Sequence, residues 1–183
     1  MSGPTQLCEL AIKYRTDKTP FLTAGDWRTH GYTPYYHDLL GDRRNSIKRV
    51  LEIGVAGGGS VRMWADYFPN AEIFGVDINP EYQVNEGRIK SFLCDQSDEA
   101  ALTALAATLG GNFDLIVEDG SHESPHQVIT ARALVPFLAP NGIYIIEDLC
   151  HPEDVVHKLP FPCQTVDFRL HLLSDDRIGV IRK

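Results

Sequence analysis

The stretch VLEIGVAGGGSVRMWADYFPNAEIFGVD, residues 50–77, contains two apolar runs separated by a glycine turn and an amphipathic segment. The first run ends in Gly54, and three consecutive glycines follow at 57–59. A continuous apolar run is typical of a strand that is buried on both faces of a sheet. Apolar side chains at helical spacing predict a helix over 60–68, and the second apolar run predicts another strand. The stretch therefore predicts a strand, a tight turn, a helix and a second strand in succession.

The rest of the chain repeats this alternation of apolar runs and helical segments. The patterns predict strands at 90–95, 113–119 and 142–148, helices at 98–109 and 127–138, and a turn at 140–142. Such alternation indicates a parallel sheet with helices on both faces. Alternating apolar and polar residues around an SDD turn in 164–183 predict an antiparallel hairpin. We therefore expect an α/β fold with a seven-stranded, mostly parallel sheet and a C-terminal antiparallel hairpin.

The length and charge of the chain limit its organisation and its partners. A chain of 183 residues suits one domain, with a polar N-terminal cap over 1–45 and the sheet with its helices over 46–183. No apolar run approaches the roughly 20 residues of a membrane-spanning helix, and no signal-peptide pattern is present. The net charge of −8 disfavours a nucleic-acid partner. Because no apolar span or signal-peptide pattern is present, we expect a cytoplasmic protein without a membrane partner. The four cysteines form no C-x-x-C pair, so we expect their thiols to be reduced.

The glycine turn and the end of the second strand indicate a ligand site. Glycine lets the backbone turn tightly and lets a ligand approach it, and the N-terminus of the following helix is electropositive. Asp77 ends the second strand, where a carboxylate is placed to accept the two hydroxyls of a ribose. A glycine-rich turn alone is weak evidence, because any tight turn can use it. Together with Asp77 it predicts a nucleoside-bearing cofactor.

The residues of the turn distinguish between two cofactor classes. The sequence GVAGGG at 54–59 has Ala56 where the dinucleotide fingerprint G-x-G-x-x-G has its second glycine. Glu52 would face a pyrophosphate unfavourably, whereas a carboxylate suits an ammonium group or, through water, a sulfonium. The turn therefore favours S-adenosylmethionine over a dinucleotide.

Acidic pairs follow two later strands and predict a metal site. In a parallel sheet the strand ends that carry Asp119, Glu147 and Asp148 lie at the same edge as the cofactor turn. Three carboxylates there would repel one another without a cation. Oxygen ligands favour magnesium, with manganese or calcium able to substitute. The alternative is that these carboxylates cap helices or face water.

His122 is the candidate general base, three residues after Asp119. Histidine titrates near neutral pH and can accept the proton of an acceptor hydroxyl during methyl transfer. Alternatively it caps a helix or binds the metal. The segment HESPH at 122–126 matches the zinc-protease pattern H-E-x-x-H, but Pro125 is tolerated only in the first turn of a helix, which indicates an accidental match. His126 is predicted either to lie in the acceptor pocket or to support a residue that does.

The segment 50–77 resembles the first motif of class I methyltransferases, which have a Rossmann-like fold. More narrowly, the chain resembles the metal-dependent sugar O-methyltransferases of the macrocin and mycinamicin type. That likeness extends through KYRTDK, HGYTPYY, CDQSD, DGSHESPHQ and YIIEDL, over most of 11–149. The compact chain is also similar to small bacterial methylmannoside O-methyltransferases. Arg15 stands where the family pattern KYGTDK has glycine.

The resemblance implies functions for individual residues. It implies adenine contacts for Asp95 and Gln96, and contacts to the rest of the cofactor for Glu52, Gly54, Ser60 and Asp77. It also implies a histidine base at the position of His122. The residues expected to contact a saccharide are Tyr14, Thr16, Asp17, Tyr32, Tyr36 and His126. Packing is the alternative role for the tyrosines among them.

These observations predict a magnesium-assisted O-methyltransferase that uses S-adenosylmethionine and acts on a hydroxyl of a saccharide, either an oligosaccharide or a glycosylated natural product. One alternative keeps the fold and the metal but makes the acceptor a catechol. Another is a protein that binds S-adenosylmethionine without catalysis. Because the chain lacks a long lid of its own, we expect a homodimer or larger homo-oligomer that completes the pocket.

Overall fold

The computed structural model describes residues 3–21, 29–168 and 176–183. The helices are α1 (Gln6–Tyr14), α2 (Tyr32–Leu40), α3 (Gly59–Tyr67), α4 (Glu99–Thr108), α5 (Ser124–Leu134) and α6 (Pro152–Val155). The strands are β1 (Arg49–Ile53), β2 (Glu72–Asp77), β3 (Ile89–Leu93), β4 (Phe113–Glu118), β5 (Leu138–Ile146), β6 (Gln164–Asp167) and β7 (Arg177–Arg182). Each predicted strand has a counterpart in this series.

The strands form one sheet in the order β3-β2-β1-β4-β5-β7-β6. The pairs from β3 across to β5 are parallel, whereas β7 runs antiparallel to both β5 and β6. The predicted α/β fold with its seven-stranded, mostly parallel sheet and C-terminal antiparallel hairpin is therefore confirmed. Strand order reverses between β1 and β4, and ligands of such sheets bind beyond the carboxyl ends of the strands at that point.

Two apolar cores cover the two faces of the sheet. One packs α1, α2 and α3 against the sheet and the other packs α4, α5 and α6 against it, because successive strand residues point to opposite faces. The helices α1 and α2 supply fully buried side chains to the first core: Leu7, Ala11, Tyr32, Tyr36 and Leu40. The N-terminal segment is therefore part of the hydrophobic core as well as a neighbour of the strand ends.

Helix α4 begins at a side-chain cap. Asp98 is the N-cap residue, and its Oδ1 accepts a hydrogen bond from the Ala101 backbone N at 2.9 Å. Such a cap pairs one of the backbone donors that the first helical turn leaves free.

Asp98→Ala is expected to lower the free energy of unfolding by about 1 kcal/mol, because the Ala101 N–H loses its acceptor. Urea unfolding of the two proteins measures the difference. Asp98→Asn is the matched control, since an asparagine oxygen caps equally well. An asparagine variant as unstable as the alanine variant would contradict the assignment.

The structure differs from the sequence prediction around α5 and β5. Helix α5 starts at Ser124 and ends at Leu134, three to four residues earlier than predicted, because Pro125 fits the first turn. The predicted turn at 140–142 was wrong: these residues lie within β5, where the pairing with β4 shifts register and Asn141 has a φ of 62°. The strand accommodates its proline and glycine through this irregularity.

Two further predictions concern the turn near the C-terminus and the absence of a membrane-spanning helix. Most of the predicted SDD turn falls in residues 169–175, outside the described residues. Among the residues that the structure describes, no helix is long and apolar enough to cross a membrane.

Candidate active site

The carboxyl ends of β1 and β4 meet at Gly54. This residue follows β1 with a φ of +90°, and a Cβ placed on it would lie 1.9 Å from the backbone oxygen of Asp119, which follows β4. Only glycine fits in this position. Gly54 thus lets the glycine turn after β1 lie in direct contact with Asp119 at the end of β4.

A cavity of about 900 Å³ extends along these strand ends. Five of the six residues predicted to contact the cofactor line it: Gly54, Ser60, Asp77, Asp95 and Gln96. Other predicted site residues in its wall are Tyr14, Thr16, Asp17, Asp119, His122 and His126. Glu52, Glu147, Asp148, Tyr32 and Tyr36 are not among the lining residues. The cavity therefore brings most of the predicted cofactor residues together with the candidate base.

Asp77 fixes the glycine turn to the end of β2. Its Oδ2 accepts hydrogen bonds from the backbone N of Val55 at 2.8 Å and of Ala56 at 3.0 Å. Its Oδ1 accepts one from the backbone N of Asn79 at 2.8 Å. A carboxylate oxygen can accept two hydrogen bonds, so Oδ1 retains capacity for a ligand hydroxyl. Ala56 has a φ of 44°, which places a strained non-glycine residue in the turn.

Glu52 lies behind the cavity wall and is fully buried. Its Oε2 accepts a hydrogen bond from Ser60 Oγ at 2.8 Å, and its Oε1 lies 3.6 Å from Lys18 Nζ. Burial raises the pKa of Glu52 to about 7, although Lys18 opposes that shift. Glu52 therefore holds Ser60 and Lys18 in place from inside the protein.

The wall of the cavity at Gln96 rests on a buried carboxylate that was not among the predicted site residues. Glu118 Oε1 accepts a hydrogen bond from Gln96 Nε2 at 2.8 Å, and Gln96 Oε1 accepts one from the backbone N of Ser121 at 2.6 Å. Burial raises the pKa of Glu118 to about 7. Asp95 is exposed, and its Oδ1 accepts a hydrogen bond from Ser97 Oγ at 2.7 Å. An acidic residue inside the apolar run FDLIVE was the available signal for Glu118.

His122 bridges two of the predicted metal ligands. Its Nε2 lies 3.2 Å from Asp119 Oδ1, and its Nδ1 lies 3.3 Å from Asp148 Oδ2. One ligand atom from each of these three residues lies within 4.8 Å of the others. His122 and Asp148 both have a positive φ, of 60° and 49°, and such strain is often found at functional sites.

The charge of His122 depends on its carboxylate neighbours. The hydrogen bond to Asp119 raises the pKa of His122 to about 9, against the effect of burial and with further help from Asp148. His122 lies before the first residue of α5, whereas His126 lies within that helix, so the two do not share a helix face as a zinc-protease motif requires. His126 Nδ1 lies 2.9 Å from Ser121 Oγ at the cavity wall.

Glu147 and Lys18 form a buried charge cluster beside these residues. Lys18 is 1% exposed, and its Nζ donates to Glu147 Oε2 at 2.5 Å and also to Asp119 Oδ2. Burial opposes the charged ammonium, but Asp119, Glu147 and Glu52 hold the pKa of Lys18 well above its ordinary value. Lys18 was not among the predicted site residues, although it ends the KYRTDK segment.

The tyrosines of α2 contact carboxylates from inside the protein. Tyr32 donates to Asp148 Oδ1 at 2.7 Å, and Tyr36 donates to Glu147 Oε1 at 2.8 Å. Both side chains are fully buried. The structure therefore places them against the acidic strand end rather than in the wall of the cavity.

Comparison with known proteins supplies a family and several relatives. A family described as a methyltransferase domain matches residues 51–149. The chain is 41% identical to the mycinamicin VI 2''-O-methyltransferase of Micromonospora griseorubida and 39% identical to the demethylmacrocin O-methyltransferase of Streptomyces fradiae. Each alignment covers 81% of this chain and 37% of the relative, so the chain spans little more than a third of their length.

Solved structures show the same similarity. The MycE methyltransferase from the mycinamycin biosynthetic pathway, in complex with Mg, SAH and mycinamycin VI, is 40% identical with a TM-score of 0.71. That match covers 80% of this chain and 40% of MycE. A second crystal form of MycE with Mg and SAH covers all of this chain and 54% of MycE, with a TM-score of 0.75 and 30% identity.

Proposed function

We propose, since this chain belongs to the methyltransferase-domain family, that it transfers the methyl group of S-adenosylmethionine to a hydroxyl of a saccharide. The observation that carries the proposal is a single cavity that joins the glycine turn and Asp77 to Asp119 and His122. One cavity can therefore hold a methyl donor and an acceptor side by side. The relatives named above are O-methyltransferases, and a further relative from Streptomyces olivaceus, 39% identical over 78% of this chain, is named for the 2'-O-methylation of a rhamnosyl tetracenomycin, which supports a sugar as the acceptor.

The cofactor is proposed to lie along the glycine turn. Asp77 faces the ribose, because its Oδ1 has capacity for a further hydrogen bond. Asp95 and Gln96 are the proposed adenine contacts, and Glu118 fixes the orientation of the Gln96 amide. Gly54 and Ser60 complete the contacts. Glu52 acts through Ser60, since its own side chain is buried.

The acidic strand ends fit a hard divalent cation. Asp119 Oδ1 and Asp148 Oδ2 both face His122, and carboxylate oxygens are ligands that Mg²⁺ prefers. We assign these two carboxylates as metal ligands, with Mn²⁺ or Ca²⁺ as substitutes for Mg²⁺. Glu147 is the proposed third ligand, and it would have to exchange its contacts with Lys18 and Tyr36 for the cation. A bound cation would hold the acceptor hydroxyl and lower its pKa.

His122 is the proposed base. With a pKa of about 9 its ring is mostly protonated at neutral pH, and a protonated ring accepts no proton. A cation held by Asp119 and Asp148 would lower the pKa of His122, and the neutral ring could then accept the hydroxyl proton. Tyr14, Thr16, Asp17 and His126 line the same cavity and are the proposed acceptor contacts.

Removing the metal is expected to abolish activity. EDTA should lower turnover by about a hundredfold or more, because the acceptor hydroxyl loses its anchor and His122 stays protonated. Methyl transfer from radiolabelled S-adenosylmethionine measures the effect. EDTA already saturated with Mg²⁺ is the control and should leave turnover unchanged. Full activity in EDTA would remove the metal from the mechanism.

The acceptor class is tested by a substrate screen. Turnover with saccharides and not with catechols is the expected result. A catechol preference would favour the alternative in which paired aromatic hydroxyls bind the metal. Calorimetry with S-adenosylmethionine, with and without Mg²⁺, identifies the third possibility, a protein that binds the cofactor but methylates neither class.

The proposed homodimer or larger assembly is measured separately by light scattering.

A further inference from the structure

We infer that Arg15 binds the carboxylate of the methionyl group of S-adenosylmethionine, a role that rests on the proposed function. Arg15 follows α1 and lines the cavity between Tyr14 and Thr16. It stands where the related pattern has glycine, so the interaction would be a property of this chain rather than of the glycine-containing pattern.

The backbone around Arg15 lies against the start of α3. A Cβ placed on Gly59, the first residue of that helix, would lie 2.7 Å from the backbone oxygen of Tyr14 and 3.5 Å from the Cβ of Thr16. Gly59 and Ser60 line the same cavity as Arg15. A group bound at the first turn of α3 is therefore within reach of the long guanidinium side chain.

The charges of the cavity select the group that Arg15 can bind. Arg15 is the only lysine or arginine among the described residues that line the cavity. The acidic residues in the described wall are Asp17, Asp77, Asp95 and Asp119. S-adenosylmethionine carries one anionic group, its carboxylate, which these four side chains would repel. The guanidinium and the electropositive end of α3 complement that carboxylate, and arginine binds carboxylates through two parallel hydrogen bonds.

The backbone of Arg15 gives a second reason to assign it a specific interaction. Its φ is 55°, a left-handed conformation that glycine adopts without cost. Arginine at this position therefore carries a stability cost that glycine would avoid. Glycine would serve the turn better, whereas binding a carboxylate requires the arginine side chain.

The test compares two ligands that differ in the amino-acid group. Calorimetry would measure the binding of S-adenosylhomocysteine and of 5′-methylthioadenosine, which lacks the carboxylate. Arg15→Gly is expected to lower the affinity for S-adenosylhomocysteine roughly tenfold or more, the effect of a lost charge-assisted hydrogen bond. The affinity for methylthioadenosine should stay within about twofold of the wild-type value. Arg15→Lys should retain part of the affinity for S-adenosylhomocysteine, because lysine keeps the positive charge but lacks the paired N–H donors of the guanidinium. The melting temperature of Arg15→Gly should equal or exceed that of the wild type.

Lys13→Ala is the matched control, since it removes a positive charge from the last turn of α1, two residues before Arg15 and outside the cavity wall. It should leave both affinities unchanged. Equal weakening of both ligands in Arg15→Gly would overturn the inference, and so would unchanged affinities with a raised KM for the acceptor, which would place an acceptor anion at Arg15. A wild-type protein that binds neither ligand would instead overturn the proposed function.

Discussion

Replacing Lys18 by methionine is expected to lower the free energy of unfolding by roughly 3–5 kcal/mol, the cost of leaving buried charges without their partner. The Lys18 ammonium lies between Asp119 and Glu147, with Glu52 Oε1 at 3.6 Å. All of these contacts are removed in the variant, and methionine fills similar space. The three carboxylates would then face one another without a cation from the protein.

The loss of unfolding free energy in Lys18→Met should grow as the pH rises. Without Lys18 the pKa values of Glu52 and Glu147 rise further, since burial already raises both and Lys18 opposes the rise. A carboxyl whose pKa is raised in the folded state loses stability as the pH rises through that value. The difference between wild type and variant is therefore expected to be small at acidic pH and largest above neutral pH.

Urea unfolding at several pH values measures this prediction. Lys13→Met is the matched control, because the Lys13 side chain is 58% exposed and its ion pair with Asp66 is screened by water. Its stability should change little at any pH. If Lys18→Met does not fold, adding Glu147→Gln should recover folded protein by removing one unpaired charge. A Lys18→Met protein that is no less stable than Lys13→Met would contradict the structural role of Lys18.

Replacing His122 by alanine is expected to lower kcat by about a hundredfold or more, the usual contribution of a positioned base. The acceptor hydroxyl would then transfer its proton to water instead of to the ring. Methyl transfer at saturating cofactor and Mg²⁺ measures the effect. His151→Ala is the control, since its side chain is 65% exposed and outside the cavity wall, and it should keep normal turnover.

A second measurement distinguishes a base from a metal ligand. The ring nitrogens of His122 lie among the same carboxylate oxygens that are proposed to bind the cation. Titration of Mn²⁺ into His122→Ala should therefore show nearly normal cation affinity if the residue acts as the base. A kcat loss that parallels a loss of cation affinity would instead identify His122 as a ligand. Near-normal turnover would exclude both roles.

Much of the site was predictable because its residues lie at strand ends. Asp77, Asp119 and Asp148 each follow a recognisable apolar run, and the carboxyl ends of parallel strands share one edge of the sheet. The turn at 140–142 was not predictable in the same way. Proline, asparagine and glycine usually end a strand, but here the paired strand tolerates them through a shift of register.

The inner support of the site depends on contacts between distant residues. Glu118 is recognisable as an acidic residue in an apolar strand, but its role depends on Gln96, 22 residues away, which donates to it. Tyr32 and Tyr36 were expected at the acceptor, yet their hydroxyls contact Asp148 and Glu147 from the core. A tyrosine that packs and one that binds a sugar have the same sequence pattern, so the pattern could not distinguish the two roles.

By itself, the sequence determined the succession of strands and helices along the chain, the glycine turn and the edge of the sheet at which the site lies. It could do so because apolar periodicity and turn residues act over short stretches of chain. Only the tertiary structure decided that Lys18 joins Asp119 and Glu147, which lie 101 and 129 residues away. A buried ammonium is stable only where several carboxylates meet it, and the folded sheet alone brings those strand ends together.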